Sequence, residues 1–569
     1  MRSEEPVGPE SVFRFFPLKI ILTGCLAVLI LSVLVLSYVP PVSRDALTHH
    51  LAVPKIYLKL GGIHEIPSII YSYYPMNLDL LYLIALYLGH DIFAKTIHFS
   101  FALLTAGLIF AFLNKRLHAG YGLFGALLFL SLPVIVKLSI TVYVDLGLVF
   151  FSTAALLYFL KWVEKKFTLR YLVVSAFACG LALGTKYNGL IVLFLLTLAA
   201  VFFYLRGARD LKFKRIKAAG CGALFMCIAL LVFSPWMVRN FIWTKNPVYP
   251  MYPKWFQAGA GNHVPDEIDL GNDPPPGHFT IRRLLYKESW PDILLIPLRI
   301  FFQGQDENPR YFDGRLNPYL FMFPFFAFWG LKGNPAGMGR EKKILLMFSL
   351  LYLSFAFFQI DMRIRYIAPV IPPLVILSVY GLREINGLIA RRTSRLARGI
   401  FSALLGLAVV SLLFLNLHYI LQQFKIVAPI SYITGQVSRD AYIEKHRHEY
   451  PAIQFANQTL APDAKILALF LGGRTYYSDR EMVSNENIFK AAILRAGTPE
   501  KVLSNLEKNR ITHLLVRYDL FKEWAANNFN GNQAQVLNNF FQDHAALIFF
   551  KHGYGLFALS RKFEGSRPK

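Results

Sequence analysis

The chain has 569 residues, 55% of them hydrophobic and only 17% charged, with a mean hydropathy of +0.42, which is too apolar for a soluble globular protein that must cover its surface with charge. Its formal net charge of +25 is carried mainly in short Lys/Arg clusters between apolar runs. That disfavours a nucleic-acid partner, which would need a basic face interleaved with aromatics, and reads instead as membrane topology.

The first apolar run, Ile20 to Val42, has no charged residue. It is long and carries Pro40 and Pro41 where a signal peptide would have a small-residue cleavage site, so we read it as a retained first span. Further apolar runs place spans near 95–113, 119–136, 146–161, 171–184, 189–205, 218–235, 317–331, 344–360, 366–382 and 400–422, about eleven in all. The four cysteines, Cys25, Cys179, Cys221 and Cys227, lie inside apolar runs, so neither a disulfide framework nor a thiolate metal site is indicated.

Basic clusters alternate along this order: Lys115 and Arg116; Lys161 to Arg170; Arg206 to Lys217; Lys332 to Lys343; Arg383 to Arg398. Short loops rich in Lys and Arg stay cytoplasmic. The N-terminus is therefore expected in the cytoplasm, while 39–94, 137–145, 236–316, 361–365 and everything after Gln422 are expected outside. Asp210, in a cytoplasmic loop, is an acid without a functional reading.

Residues 1–422 form the membrane part, 423–449 a linker, and 450–569 a small extracytoplasmic α/β domain. The last is indicated by strand-like runs at Lys465 to Phe470 and Thr512 to Val516 between polar helical stretches. No Walker loop is present in the sequence, which disfavours an ATP-driven pump.

The outer loops hold the chemistry-bearing residues. The first reads Arg44-Asp45-Ala46-Leu47-Thr48-His49-His50, with Lys55, Tyr57 and Asp79 following. If it is helical, Asp45 and His49 share a face at i, i+4, which suits a general base with an orienting partner or a divalent metal. A helix-start acid with interfacial histidines reads the same spacing equally well. Asp145 opens the fourth span. Lys186 follows Gly184-Thr185 at a turn, and Arg363 and Arg365 occupy another. Such cations also snorkel to lipid headgroups.

Taken together, Asp45 with His50-Leu51 and Pro54, Tyr74-Pro75 and Asp79, Asp145, Gly184-Thr185-Lys186, Pro235-Trp236, Arg239-Asn240, Asn246 to Pro250 and Arg365-Tyr366 before Pro369 resemble the GT-C glycosyltransferases. The similarity is to the group that joins protein mannosyltransferases with aminoarabinose transferases. The resemblance implies a polytopic α-helical enzyme of the inner membrane. Such an enzyme transfers a hexose or pentose from a polyprenyl-phosphate donor, embedded in membrane lipid, to a glycan, lipid or protein acceptor on the outer face, with inversion.

Asp45 and Asp145 are then the catalytic acids. Lys186, Arg363 and Arg365 are candidates for the carrier phosphate, and His49, His50, Lys55, Tyr57, Asp79 and Arg239 for other substrate contacts. Where many relatives have a second acid or an aromatic, this chain has His49 and His50. Metal dependence therefore stays open, with Asp45, Asp145 and His50 as the candidate ligands of a divalent ion. The lipid tail needs an apolar groove, which the Phe-rich spans and Trp290 to Phe302 would line. The rival readings are a secondary transporter and a non-catalytic component of glycan assembly or export.

Overall fold

The computed structural model describes residues 16–207, 213–256, 278–329, 338–358, 362–392 and 394–561; Asp210 lies outside them. The membrane part is helical: α1 Phe16–Ser37, α2 Ala52–Leu60, α3 Asn77–Tyr87, α4 Phe93–Arg116, α5 Ala119–Ser131, α6 Pro133–Ser139, α7 Asp145–Glu164, α8 Leu169–Thr185, α9 Gly189–Gly207 and α10 Lys214–Thr244. After these come α11 Tyr319–Phe326, α12 Met338–Phe357, α13 Ile371–Arg392 and α14 Arg395–Val427. The chain is a multi-pass membrane protein.

Among the described residues seven helices are long and apolar enough to cross a bilayer, or eight if α5 and α6, bent by 67°, form one span. The eleven apolar runs all fall on helices. The three that miss the count are α8, with 17 residues, α11, with 8, and α12, which opens on the charged Arg340, Glu341, Lys342 and Lys343. The bend between α5 and α6 has a local cause. Proline disfavours the helical region for the residue before it, and Leu132 is accordingly extended at ψ 135 with Pro133 opening the next helix.

Large apolar side chains stay exposed where lipid would meet them, among them Ile20, Val28 and Leu31 on α1 and Leu404, Leu407 and Phe414 on α14. Inside, α8 packs against α7 and α10. Gly180 and Gly184 permit the approach: a Cβ at Gly180 would come 2.6 Å from the Ala229 carbonyl of α10, and one at Gly184 2.3 Å from Asn77 Nδ2.

Polar groups gather at two levels. The loops read as cytoplasmic meet one another through Arg116–Glu164 (2.7 Å), Arg116–Glu341 (2.8 Å) and Lys342–Glu384 (2.9 Å). Those read as outer meet through Lys137–Glu307 (3.2 Å), Arg363–Asp313 (3.1 Å) and Arg365–Asp45 (2.6 Å).

The segment read as a linker is largely helical: α14 runs through to Val427, and short helices follow at Pro429–Ile433 and Arg439–His446. Beyond α15, Tyr450–Thr459, comes a five-stranded sheet of β1 Lys465–Leu469, β2 Glu481–Val483, β3 His513–Arg517, β4 Ala545–Lys551 and β5 Tyr554–Leu559. Its order is β2-β1-β3-β5-β4, parallel across β2, β1 and β3 and antiparallel across β5 and β4.

The central strands are apolar on both faces because both are covered. Leu467, Leu469, Leu514 and Val516 belong to one core with the helices after β2. Ile466, Ala468 and Leu515 belong to the other, with Ala452, Ile453 and Ala456 of α15.

This C-terminal unit rests on the first loop. The Tyr477 hydroxyl donates to the Pro41 carbonyl at 2.7 Å, and the backbone N–H groups of Thr475 and Tyr476 both donate to Leu47 O at 3.1 Å. Lys55 Nζ donates to Tyr476 O, Ser478 O and Asp479 at 2.8–3.0 Å.

Candidate functional site

Asp45 caps a single π turn, Ala46–His50, closed by Leu51 N–H donating to Ala46 O at 2.9 Å. The turn is wider than an α-helical one, and its polar side chains take separate partners. Arg365 donates to Asp45 Oδ2 at 2.6 Å. The His50 imidazole pairs through Nδ1 with Asp79 at 2.6 Å, and His49 stacks on Tyr71 with ring centroids 4.4 Å apart. Asp45 and the two imidazoles thus each hold a different partner, within reach of one another's charge.

Burial opposes the charge on Asp45, but the Arg365 guanidinium outweighs it and holds the carboxyl well below the usual carboxylate range. Burial, then the neighbouring His50, keep the His49 imidazole well below its ordinary value.

The two expected acids belong to one constellation. Asp145, fully buried at the start of α7, accepts from Lys186 Nζ at 2.6 Å. Lys186 also lies 4.9 Å from the Tyr366 ring centroid, and Arg365 lies 5.2 Å from the same ring and 4.8 Å from Tyr143. Tyr366 thus bridges two cations, each holding a carboxylate. Two buried atoms in this cluster, Asp145 Oδ2 and Arg365 Nε, have no hydrogen-bond partner among the described residues.

A second node is built on α10. The Arg239 guanidinium stacks between Trp236 and Trp243 (4.6 and 5.0 Å) and donates to Tyr74 O and Asn240 Oδ1. Tyr57 lies beside it, buried among apolar neighbours, so that burial raises its phenol. Between the nodes runs an aromatic wall, Tyr71 to Tyr74 to Tyr187, with successive centroids 5.4 Å apart.

Asp45 and Arg365 open into a polar cavity of about 470 Å³, bounded by the first loop, the 306–314 loop and side chains of the C-terminal segment. A separate apolar groove of about 570 Å³ lies between α11 and α12, with Pro297, Leu298 and Phe301 along one edge. Those three belong to the segment expected to line a lipid groove.

The sequence-expected residues divide accordingly. Asp45, Asp145, Lys186 and Arg365 converge, with His49 close enough to feel all but Asp145 of them. His50 and Asp79 pair behind His49, and Arg239 and Tyr57 form the second node. Arg363 pairs with Asp313 on the cavity wall. Lys55, read as a substrate contact, lies apart from this cluster and bonds to the Tyr476–Asp479 loop.

The three candidate metal ligands are committed to separate partners: Asp45 to Arg365, Asp145 to Lys186 and His50 to Asp79. Among the described residues no three His, Cys, Asp or Glu side chains gather as a metal-binding group. Sequence reading gave no role to Tyr143 or to Tyr366, which it quoted only beside Arg365, since tyrosines at membrane interfaces are ordinary, and it missed Arg447 and Arg474, which reach the cavity from the C-terminal segment.

Residues 80–238 match the family model described as dolichyl-phosphate-mannose-protein mannosyltransferase. That stretch encloses Asp145 and Lys186 and ends before Arg239. The structure is similar to that of ArnT from Cupriavidus metallidurans bound to undecaprenyl phosphate, with 14% identity, a TM-score of 0.55, and 96% of this chain and 99% of that one covered.

The chain has the GT-C glycosyltransferase fold. The oligosaccharyltransferase of Archaeoglobus fulgidus, tethered with an acceptor peptide, is similar at 11% identity and a TM-score of 0.50, over 95% of this chain and 74% of that one. No curated protein matches by sequence. At such identities the likeness is one of GT-C architecture, and the site must speak through its own residues.

Proposed function

We propose that this chain is an inner-membrane glycosyltransferase that moves a hexose or pentose from a polyprenyl-phosphate carrier to a glycan, lipid or protein acceptor on the extracytoplasmic face. One observation carries the reading: the run Asp45, Arg365, Tyr366, Lys186, Asp145, in which two fixed cations and two acids meet beside a polar cavity. A departing phosphate needs such cations, and an attacking hydroxyl needs such an acid.

The carrier's phosphate engages Arg365 and Lys186, its sugar lies along the Tyr71–Tyr74–Tyr187 wall, and its prenyl tail takes the apolar groove beside α12. As Arg365 turns to the phosphate, Asp45 loses the charge that depresses it and becomes a better base, so the donor arms the site. The acceptor hydroxyl gives its proton to Asp45 while its oxygen bonds the anomeric carbon. The bond from that carbon to the phosphate oxygen breaks, and its electron pair leaves on polyprenyl phosphate. A single displacement inverts the anomeric centre.

Purified chain in detergent, given isotope-labelled polyprenyl-phosphate sugars and envelope acceptors, is expected to move label into acceptor, and Asp45→Asn to stop it. Near-native transfer by Asp45→Asn would remove the assignment. The parity of the basic clusters supports an outer C-terminal unit. A C-terminal reporter active only in the cytoplasm would reverse the orientation.

A further inference from the structure

The cavity beside Asp45 carries more positive charge than its own acids neutralise. Arg365, Arg363 and Lys137 face it already paired with Asp45, Asp313 and Glu307, Arg474 is bonded to Glu449, and a fourth acid on the wall, Asp306, accepts from the Tyr419 hydroxyl at 2.7 Å. Three further cations line it. Lys95 donates to the carbonyls of Val39 and Pro40 at 2.8 and 3.5 Å. Arg447 donates through Nε to Val42 O at 2.5 Å and has no carboxylate within ion-pair distance among the described residues. Arg44 is exposed, with neither a hydrogen bond nor an ion pair among them.

These cations converge. Arg44 and Arg474 both lie against Gly472, 3.9 and 3.1 Å from where its Cβ would stand. Burial and then the charge of Arg474 disfavour the charge on Arg447, with Glu449 and Glu307 offsetting part of that cost. Holding like charges together in a partly enclosed space costs free energy that a bound anion would recover. Asp45 lines the same cavity, so an anion held at this corner would have its neighbouring hydroxyl groups within the space that reaches the acid.

We propose that this cavity is the acceptor site and that it takes a phosphate ester bearing a free hydroxyl, gripped through its phosphate by Arg44 and Arg447. The inference rests on the transferase reading above and adds to it the acceptor's chemistry. It also gives the C-terminal unit a task, because Arg447 and Arg474 come from that side of the chain and the corner is incomplete without them. Guanidinium groups suit a phosphate, whose oxygens accept several N–H donors at once. The ester can come from a lipid headgroup or from a soluble phosphorylated glycan.

The test uses the full chain purified in detergent, titrated with sn-glycerol 1-phosphate and, as the uncharged control, glycerol. A second arm places the chain in nanodiscs of pure phosphatidylglycerol or pure phosphatidylcholine and reads thermal stability. Binding of glycerol phosphate but not glycerol, weakened about tenfold or more in both Arg447→Gln and Arg44→Gln, is expected from the loss of a charge-assisted contact. Stabilisation by phosphatidylglycerol alone, lost in both variants, supports the same site with a lipid headgroup as source.

No binding in either arm, or variants that bind like the native chain, overturns the proposal. Arg44 is exposed and its replacement is not expected to disturb folding, so the result stands even if Arg447→Gln is unstable. Consumption of a labelled polyprenyl-phosphate sugar, measured alongside, separates the two readings. If the donor is consumed but no anion binds, only the acceptor inference fails; if the anion binds and the donor is untouched, the transferase reading fails.

Discussion

The two polar levels of this molecule are built from the same residue types and behave differently. At the level read as cytoplasmic, Glu341 accepts from Arg116 through one oxygen and from the Tyr380 hydroxyl through the other, at 2.8 and 2.5 Å. Lys342, fully buried, divides its donors between Ala327 O and Glu384. At the level of Asp45 the buried atoms with no partner among the described residues belong to charged groups, Asp145 Oδ2, Arg365 Nε and Arg239 Nη1, whereas beside the cytoplasmic clusters the neutral Trp162 Nε1 is so left. Leaving buried polar atoms unmatched costs stability. A network that closes on itself is structural; one that leaves charge unmatched beside a cavity is prepared for a ligand.

The largest effect that would break this comparison is catalytic. Asp45→Asn should cut transfer by roughly 10²–10⁴-fold, the range for losing a positioned proton acceptor. Its melting temperature should fall, because Arg365 loses its carboxylate partner, while Asn keeps the size and still accepts a hydrogen bond, so turnover is read per folded molecule. The double replacement Asp145→Asn with Lys186→Met removes a buried pair together, so it avoids the stranded charge that either single change leaves. It should fold and still lose about 10²-fold in turnover. Transfer kept by the double variant would show that this pair is structural like its counterpart across the membrane.

Glu341→Ala is the reverse experiment. It leaves the Tyr380 hydroxyl unpaired and Arg116 with Glu164 as its remaining carboxylate, and should cost about 1–3 kcal/mol, read as a lowered melting temperature and a lower yield of folded chain. Turnover per folded molecule should be unchanged. A specific loss of turnover would mean that the far level communicates with the site.

The sequence made one side of this comparison legible. Asp45, Asp145, Lys186 and Arg365 stood out because a charge at the end of an apolar run is costly enough to need a reason. The strands at 465–469 and 513–517 were legible because short apolar runs bounded by polar helices have few other uses. Pairing was not legible. Asp45 and Arg365 are 320 residues apart, and nothing local says that Arg365 chooses Asp45 while Arg363 chooses Asp313. The π turn was equally hidden: two N–H groups of the C-terminal unit bond to Leu47 O within it, from a part of the chain far away in sequence.

Tyr366 tests whether the two acid–cation pairs act as one group. Its ring lies against both Lys186 and Arg365, and a cation over an aromatic face contributes about 0.5–2 kcal/mol. Tyr366→Leu keeps bulk but removes that attraction, and should lower turnover by about tenfold, mainly through kcat, with donor KM rising less. A change confined to acceptor KM would place Tyr366 on the other side of Asp45.

The smallest effect expected is on the pH dependence of stability, and it separates His49 from Asp45. The His49 imidazole is held well below its ordinary value by burial and then by His50, so the fold resists its protonation, while the unfolded chain takes up that proton near pH 6.5. Below that value the unfolded state binds more protons than the native state, so the contribution is full above about pH 6.5 and is lost as the pH falls through the window beneath it. Asp45 is also depressed, but as an acid: its contribution is full above the ordinary carboxylate range near pH 3.9 and is lost only on further acidification. Between about pH 7.5 and pH 5.5, therefore, His49→Gln should flatten the fall in melting temperature, whereas Asp45→Asn should leave it as in the native chain. Equal slopes in all three proteins would mean that His49 does not stay neutral in the fold, and an imidazole that charges freely beside Arg365 and Lys186 would remove it from the donor side of the site.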